Sequence, residues 1–184
     1  MTSKELETFC PTSRHEWRLW LKKNHILKQS VWLVCYKKKS NVPTISWSDA
    51  VDEALCFGWI DSIKKTLDHE SSIQFFSKRK AKSTWSKINK QKIEQLIGNG
   101  LMVEAGYESI EIAKKNGSWT ILDEVEELII PEDLATAFHA KPEAKAFFFN
   151  LSKSAKKVLL QSLVLAKRQE TRQKRIAEIV ALPK

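Results

Sequence analysis

Ser46–Asp61 reads SWSDAVDEALCFGWID, and further along stand Arg79-Lys80 and Ser83-Thr84-Trp85-Ser86-Lys87-Ile88-Asn89. Ser46 with Asp49 three residues on is a capping signature, and Ala50, Val51, Ala54 and Leu55 line one side of the helix it opens. Gly58 stands where a left-handed residue ends a helix. From Trp59 to Leu67 the residue types alternate, so a strand here puts Trp59, Asp61, Ile63 and Leu67 on one face. The chain then turns at Asp68-His69-Glu70 and returns through Ser72–Phe76. A helix running straight into a hairpin predicts an α+β fold.

Working outward, Ser13-Arg14-His15-Glu16 is a capping box that opens a helix carrying Trp17, Trp20 and Leu21 on one face and ending near Asn24. Val31–Tyr36 is short, β-branched and aromatic, which predicts a buried strand, and Lys37–Pro43 follows as a solvated loop. Ser83 caps a third helix running to Ile97, stopped by Gly98-Asn99-Gly100. Val103, Tyr107, Ile110 and Ala113 mark another, ended by Gly117. Beyond Trp119 the composition turns acidic, Pro131 with Glu132 and Asp133 reads as a helix start, and Leu134–Lys184 carries no strand signal. The expected architecture is a small antiparallel sheet covered by helices within a core domain at 1–119, with a helical C-terminal portion at 120–184 packed on it.

The string ALCFGWID, then Arg79-Lys80, Ser83, Trp85-Ser86, Asn89, Gly100-Leu101-Met102, Gly106, Ala113-Lys114, Gly117 and Trp119, and finally Ala166-Lys167-Arg168, Glu170-Thr171-Arg172 and Arg175-Ile176, resembles the YdeI/OmpD-associated, or bacteriocin-protection, family. The likeness runs from about Trp32 to the C-terminus. One departure is Gln169, where the family often has proline. The resemblance implies a bacterial protein linked to protection against bacteriocins or antimicrobial peptides. It brings no reaction, substrate or cofactor with it.

The 184 residues carry a formal charge of +9, which points to an anionic partner: a small molecule, an acidic protein or nucleic acid. Seven Trp and eight Phe supply a core. Cys10, Cys35 and Cys56 are odd in number and widely spaced, as expected for reduced thiols in the cytoplasm. Met1–Pro11 lacks the apolar stretch of a signal peptide, and no window suits a membrane span. Neither a metal nor a cofactor is expected, since His15, His25, His69 and His139 form no ligand pair and no phosphate-binding glycine loop occurs. No catalytic constellation is evident. Cys56 lies at a helix C-terminus, which disfavours a thiolate, and no serine stands in a nucleophile elbow.

Asp61, pointing with the hydrophobes, needs donors, and Ser71 to Ile93 holds seven Lys or Arg and no Asp or Glu. On a wheel begun at Trp85, Asn89 and Lys92 fall inside the arc of Ile88, Ile93, Leu96 and Ile97. One reading gathers Asp61, Arg79, Lys80, Ser83, Asn89 and Lys92 around an anion pocket walled by Trp59 or Trp85 at the N-terminus of the Ser83 helix. The other makes Asp61 a structural partner of Arg79 or of the helix start. Near the C-terminus, Lys167 and Arg168 lead into Arg172 and Arg175, a basic helical stripe fit for docking or for phosphate contact. Three functions follow: binding of an anionic ligand or partner, a nucleic-acid-binding module, or an enzyme acting on a small anionic substrate at an Asp61/Arg79 pocket.

Overall fold

In the computed structural model, which describes residues 7–182, the apolar periodicities resolve into an α+β fold. Most of Met1–Pro11 and the last two residues of the C-terminal run lie outside the described residues. The chain divides into two compact units, Met1–Ser83 with Ile88–Gly117 and Thr84–Lys87 with Ser118–Lys184.

The first unit holds the sheet. Its elements are β1 (Thr8–Phe9), α1 (Arg14–Asn24), β2 (Ser30–Tyr36), α2 (Trp47–Cys56), β3 (Trp59–Thr66), β4 (Ser71–Lys78), α3 (Lys87–Gly98, whose first residue belongs to the second unit) and α4 (Glu104–Lys115). The strand order is β1-β2-β4-β3. β4 is antiparallel to both β2 and β3, so the hairpin read from Trp59–Phe76 forms, with β4 inside the sheet and β3 at its edge. The sheet is mixed, because the two-residue β1 pairs parallel to β2, with Thr8 opposite Trp32. So short a strand has no periodicity to betray it.

Local chemistry fixes the helix starts. The Ser13 hydroxyl accepts from the Glu16 N–H, while the Glu16 carboxylate takes both the N–H and the hydroxyl of Thr12. Ser46 caps α2 through the Asp49 N–H. α1 and α2 lay aromatic and aliphatic side chains on one sheet face. Trp17, Trp59 and Phe76 are fully buried there, with Trp17 5.1 Å from Trp20 and 5.4 Å from Phe76. Each such ring contributes about 1.5–3 kcal/mol of transfer free energy.

α3 begins four residues after Ser83, so Trp85 lies outside it and is not part of its inward face. The inward face is Asn89, Lys92, Ile93 and Leu96, while Ile88 and Ile97 are exposed.

The second unit is helical: α5 (Asp123–Glu126), α6 (Glu132–Ala140), α7 (Pro142–Asn150), α8 (Lys153–Val164) and α9 (Gln169–Val180). Leu134, Phe138, Phe148, Leu160, Leu163 and Ile179 form its core. Trp85 is buried against Trp119, ring centroids 4.9 Å apart.

Candidate functional site

Asp61 is half-buried, and its Oδ2 accepts from Trp47 Nε1 at 2.9 Å and Gln74 Nε2 at 3.1 Å. The parity argument fails beyond this point: Ile63 and Leu67 are exposed. β3 is an edge strand, and its register slips between Asp61 and Lys64. The donors come from the N-terminus of α2 and from β4, which the charge pattern did not single out. Arg79 nonetheless feels Asp61. Burial pushes the Arg79 guanidinium down to about 10, and the Asp61 carboxylate pulls the other way. Arg79 therefore stays charged at neutral pH while holding little of its water, a state that favours an anion nearby.

Beside Arg79 the first unit opens into a cavity of about 560 Å³. Three pieces of backbone make it. The end of β4 contributes Lys78, Arg79, Lys80 and Ala81, the turn between α2 and β3 contributes Phe57 and Gly58, and α4 presents Ala105, Glu108, Ser109 and Ile112. His25 and Ile26, just past α1, complete the lining.

Each piece is pinned. Arg79 N–H donates to the Gly58 carbonyl at 2.9 Å, so the β3–β4 pairing runs into the turn. Lys78 Nζ donates to the Ile26 carbonyl at 2.7 Å, and Trp59 Nε1 to that of His25 at 3.3 Å. His25 Nδ1 lies 2.9 Å from the Leu21 carbonyl, which only accepts, so Nδ1 carries the proton. Gly58, at φ +69°, lies so close to α4 that a β-carbon would stand 2.7 Å from the Ala105 carbonyl oxygen. Three of the lining side chains are Lys or Arg and one, Glu108, is a carboxylate, so the cavity favours negative charge.

Of the residues expected at the site, Arg79 and Lys80 line the cavity. Trp59, Asp61, Ser83, Trp85, Asn89 and Lys92 do not. Trp59 is core. Lys92 bridges Asp52 and the Ser48 hydroxyl on α2. Ser83 donates its N–H to the Lys80 carbonyl in a turn and does not cap α3. The N-terminus of α3, expected to receive an anion, receives the chain's own: Lys87 N–H donates to Glu126 at 3.1 Å, and Lys87 Nζ binds Glu127 at 2.7 Å.

The basic stripe is also corrected. Lys167 and Arg168 are exposed, but Arg172 grips Asp133 through Nε and Nη2 at 2.6 and 2.9 Å and donates to the Leu163 carbonyl, while Arg175 donates to the Ser162 carbonyl. Both arginines are spent on joining α9 to α6 and α8. The reading missed the α4 contribution, although Ala105, Ser109 and Ile112 recur at i, i+4 and i+7 beside the buried stripe of Gly106, Ile110 and Ala113.

Residues 9–109 match the family model of a domain of unknown function, DUF8412. The chain belongs to that family. Residues 127–183 match a second model, described as bacteriocin-protection, YdeI or OmpD-associated. The YdeI/OmpD-associated likeness thus covers a shorter stretch than the motifs suggested. ALCFGWID and the Arg79–Asn89 cluster fall within the DUF8412 segment. Apart from Thr84–Lys87, which belong to the helical unit, the first match lies within the sheet-bearing unit, and the second lies within the helical one. No curated protein and no solved structure matches the chain.

Proposed function

We propose that the DUF8412 unit binds an anion in the cavity at the end of β4, and that the chain serves bacteriocin or antimicrobial-peptide protection in the cytoplasm by binding, not by turnover. The observation that carries the first part is that Lys78, Arg79 and Lys80 all line a cavity whose lining holds a single carboxylate, Glu108. Three adjacent cationic residues fixed along one backbone segment at the end of β4 favour negative charge in the cavity they line. The YdeI/OmpD-associated match of the helical unit supports the protective role, and the three free thiols support a reducing compartment.

The test is titration of the full chain with inorganic phosphate and with sulfate, followed by calorimetry and thermal melting. Saturable binding that weakens at least tenfold in Arg79→Ala and severalfold in Lys80→Ala is expected. Lys80 is exposed, so its variant keeps the fold. Binding unchanged in both would place the anion elsewhere. Protection is read separately, by challenging a host that expresses each variant.

A further inference from the structure

The cavity is lined by hydrocarbon as well as by charge. Ile26, Phe57 and Ile112 share its lining with Lys78, Arg79 and Lys80. Ile26 and Ile112 are 69% and 46% exposed, although each is a large aliphatic side chain lining a concave surface. Phe57 is buried and packed by the His25 ring at 5.1 Å and the Arg18 guanidinium at 5.3 Å. A small hydrated ion would satisfy the cations and leave this apolar lining wet. A ligand that also carries hydrocarbon removes that surface from water.

We infer, resting on the anion-binding reading above, that the cavity takes an amphipathic anion: a carboxylate or phosphate headgroup set against Lys78–Lys80, with an aliphatic or aromatic body lying on Ile26, Phe57 and Ile112. The volume of about 560 Å³ suits a molecule of that kind. Glu108 in the lining keeps a second negative charge away from α4, so the charge sits at one end of the ligand.

The experiment titrates the full chain with octanoate, acetate, phenyl phosphate, inorganic phosphate and 1-octanol. Octanoate should bind at least about tenfold tighter than acetate, and phenyl phosphate tighter than phosphate by a similar factor, because each buried methylene adds to the gain. Ile112→Asn, at a half-exposed position, should abolish that preference and keep the affinity for inorganic phosphate. Phosphate binding as tightly as phenyl phosphate overturns the amphipathic class and leaves the anion site standing. Octanol binding as tightly as octanoate, or no probe binding at all, overturns both. A preference for octanoate that survives Ile112→Asn and Ile26→Asn places the hydrocarbon elsewhere and also overturns the inference.

Discussion

Gly106 passes so close to Cys56 that a β-carbon on Gly106 would stand 2.3 Å from the Cys56 carbonyl oxygen. That oxygen already accepts from the Val103 N–H at 3.2 Å. The first turn of α4 is therefore seated on the end of α2, and the cavity lies beside the contact. Gly58 meets the same helix from the other direction, against the Ala105 carbonyl, and does so at φ +69°. Neither obstruction is a flexible side chain.

Gly106→Ala should accordingly cost about 2–4 kcal/mol, since backbone must move to admit the methyl group. Gly58→Ala should cost about 2–3 kcal/mol, combining the left-handed penalty with its own clash. Chemical denaturation checks both. A loss under about 0.5 kcal/mol in either would mean that α4 is not held where the cavity needs it.

Glu53 is 2% exposed and binds Arg14 Nε at 2.5 Å and Arg18 Nη1 at 2.6 Å. Arg18 reaches on to the Leu101 carbonyl at 2.8 Å and lies over the Phe57 ring. One buried carboxylate thus links α1, α2 and the approach to α4. Glu53→Ala should destabilise by about 2–3 kcal/mol, at the lower end for a broken buried pair because both arginines can regain water. The loss should be smaller in an Arg14→Ala background, and a thermodynamic cycle measures the difference.

These relationships mark where sequence patterns cease to decide. α1, α2, β2 and the β3–β4 hairpin were legible because capping residues and periodicity act over a few neighbours. Gly58 was legible as a helix terminator, though its approach to Ala105 was not, since that contact joins residues far apart in the chain. Asp61 was misjudged because strand parity assumes a covered face, and an edge strand with a register slip loses its cover. Arg172 looked like surface charge in a basic helical stripe until Asp133, 39 positions away, came to meet it. Charge runs show which residues need partners and do not say whether the partner is a ligand or the chain itself.

The Cys35 and Cys56 thiols should be unreactive while the first unit is folded. Burial pushes Cys35 and Cys56 each up to about 11, with the Cys10 thiol adding to the rise at Cys35 and Glu53 adding to it at Cys56. At pH 8 roughly one molecule in a thousand then carries a thiolate at either site. A short pulse of iodoacetamide at pH 8, read by mass spectrometry, should label the exposed Cys10 first and the other two only after denaturant is added. Rapid labelling of Cys56 in the native protein would show that the end of α2 opens.

Arg172 sets the acid behaviour of the helical unit. Its hydrogen bonds hold the Asp133 carboxyl below the usual carboxylate range, burial acting in the opposite sense. A carboxylate depressed in the folded state stabilises it at every pH above the unfolded value of about 4, and that contribution disappears as pH falls through the lower folded value. Arg172→Met should cost about 1–2 kcal/mol at pH 7, through loss of the bidentate pair and of the bond to the Leu163 carbonyl. The gap in melting temperature between wild type and variant should be constant from pH 7 to about 5 and should narrow below about pH 4. A gap independent of pH down to 2.5 would leave only packing and the carbonyl bond as the role of Arg172. A gap near zero at pH 7 would return the residue to the surface stripe, free to meet phosphate.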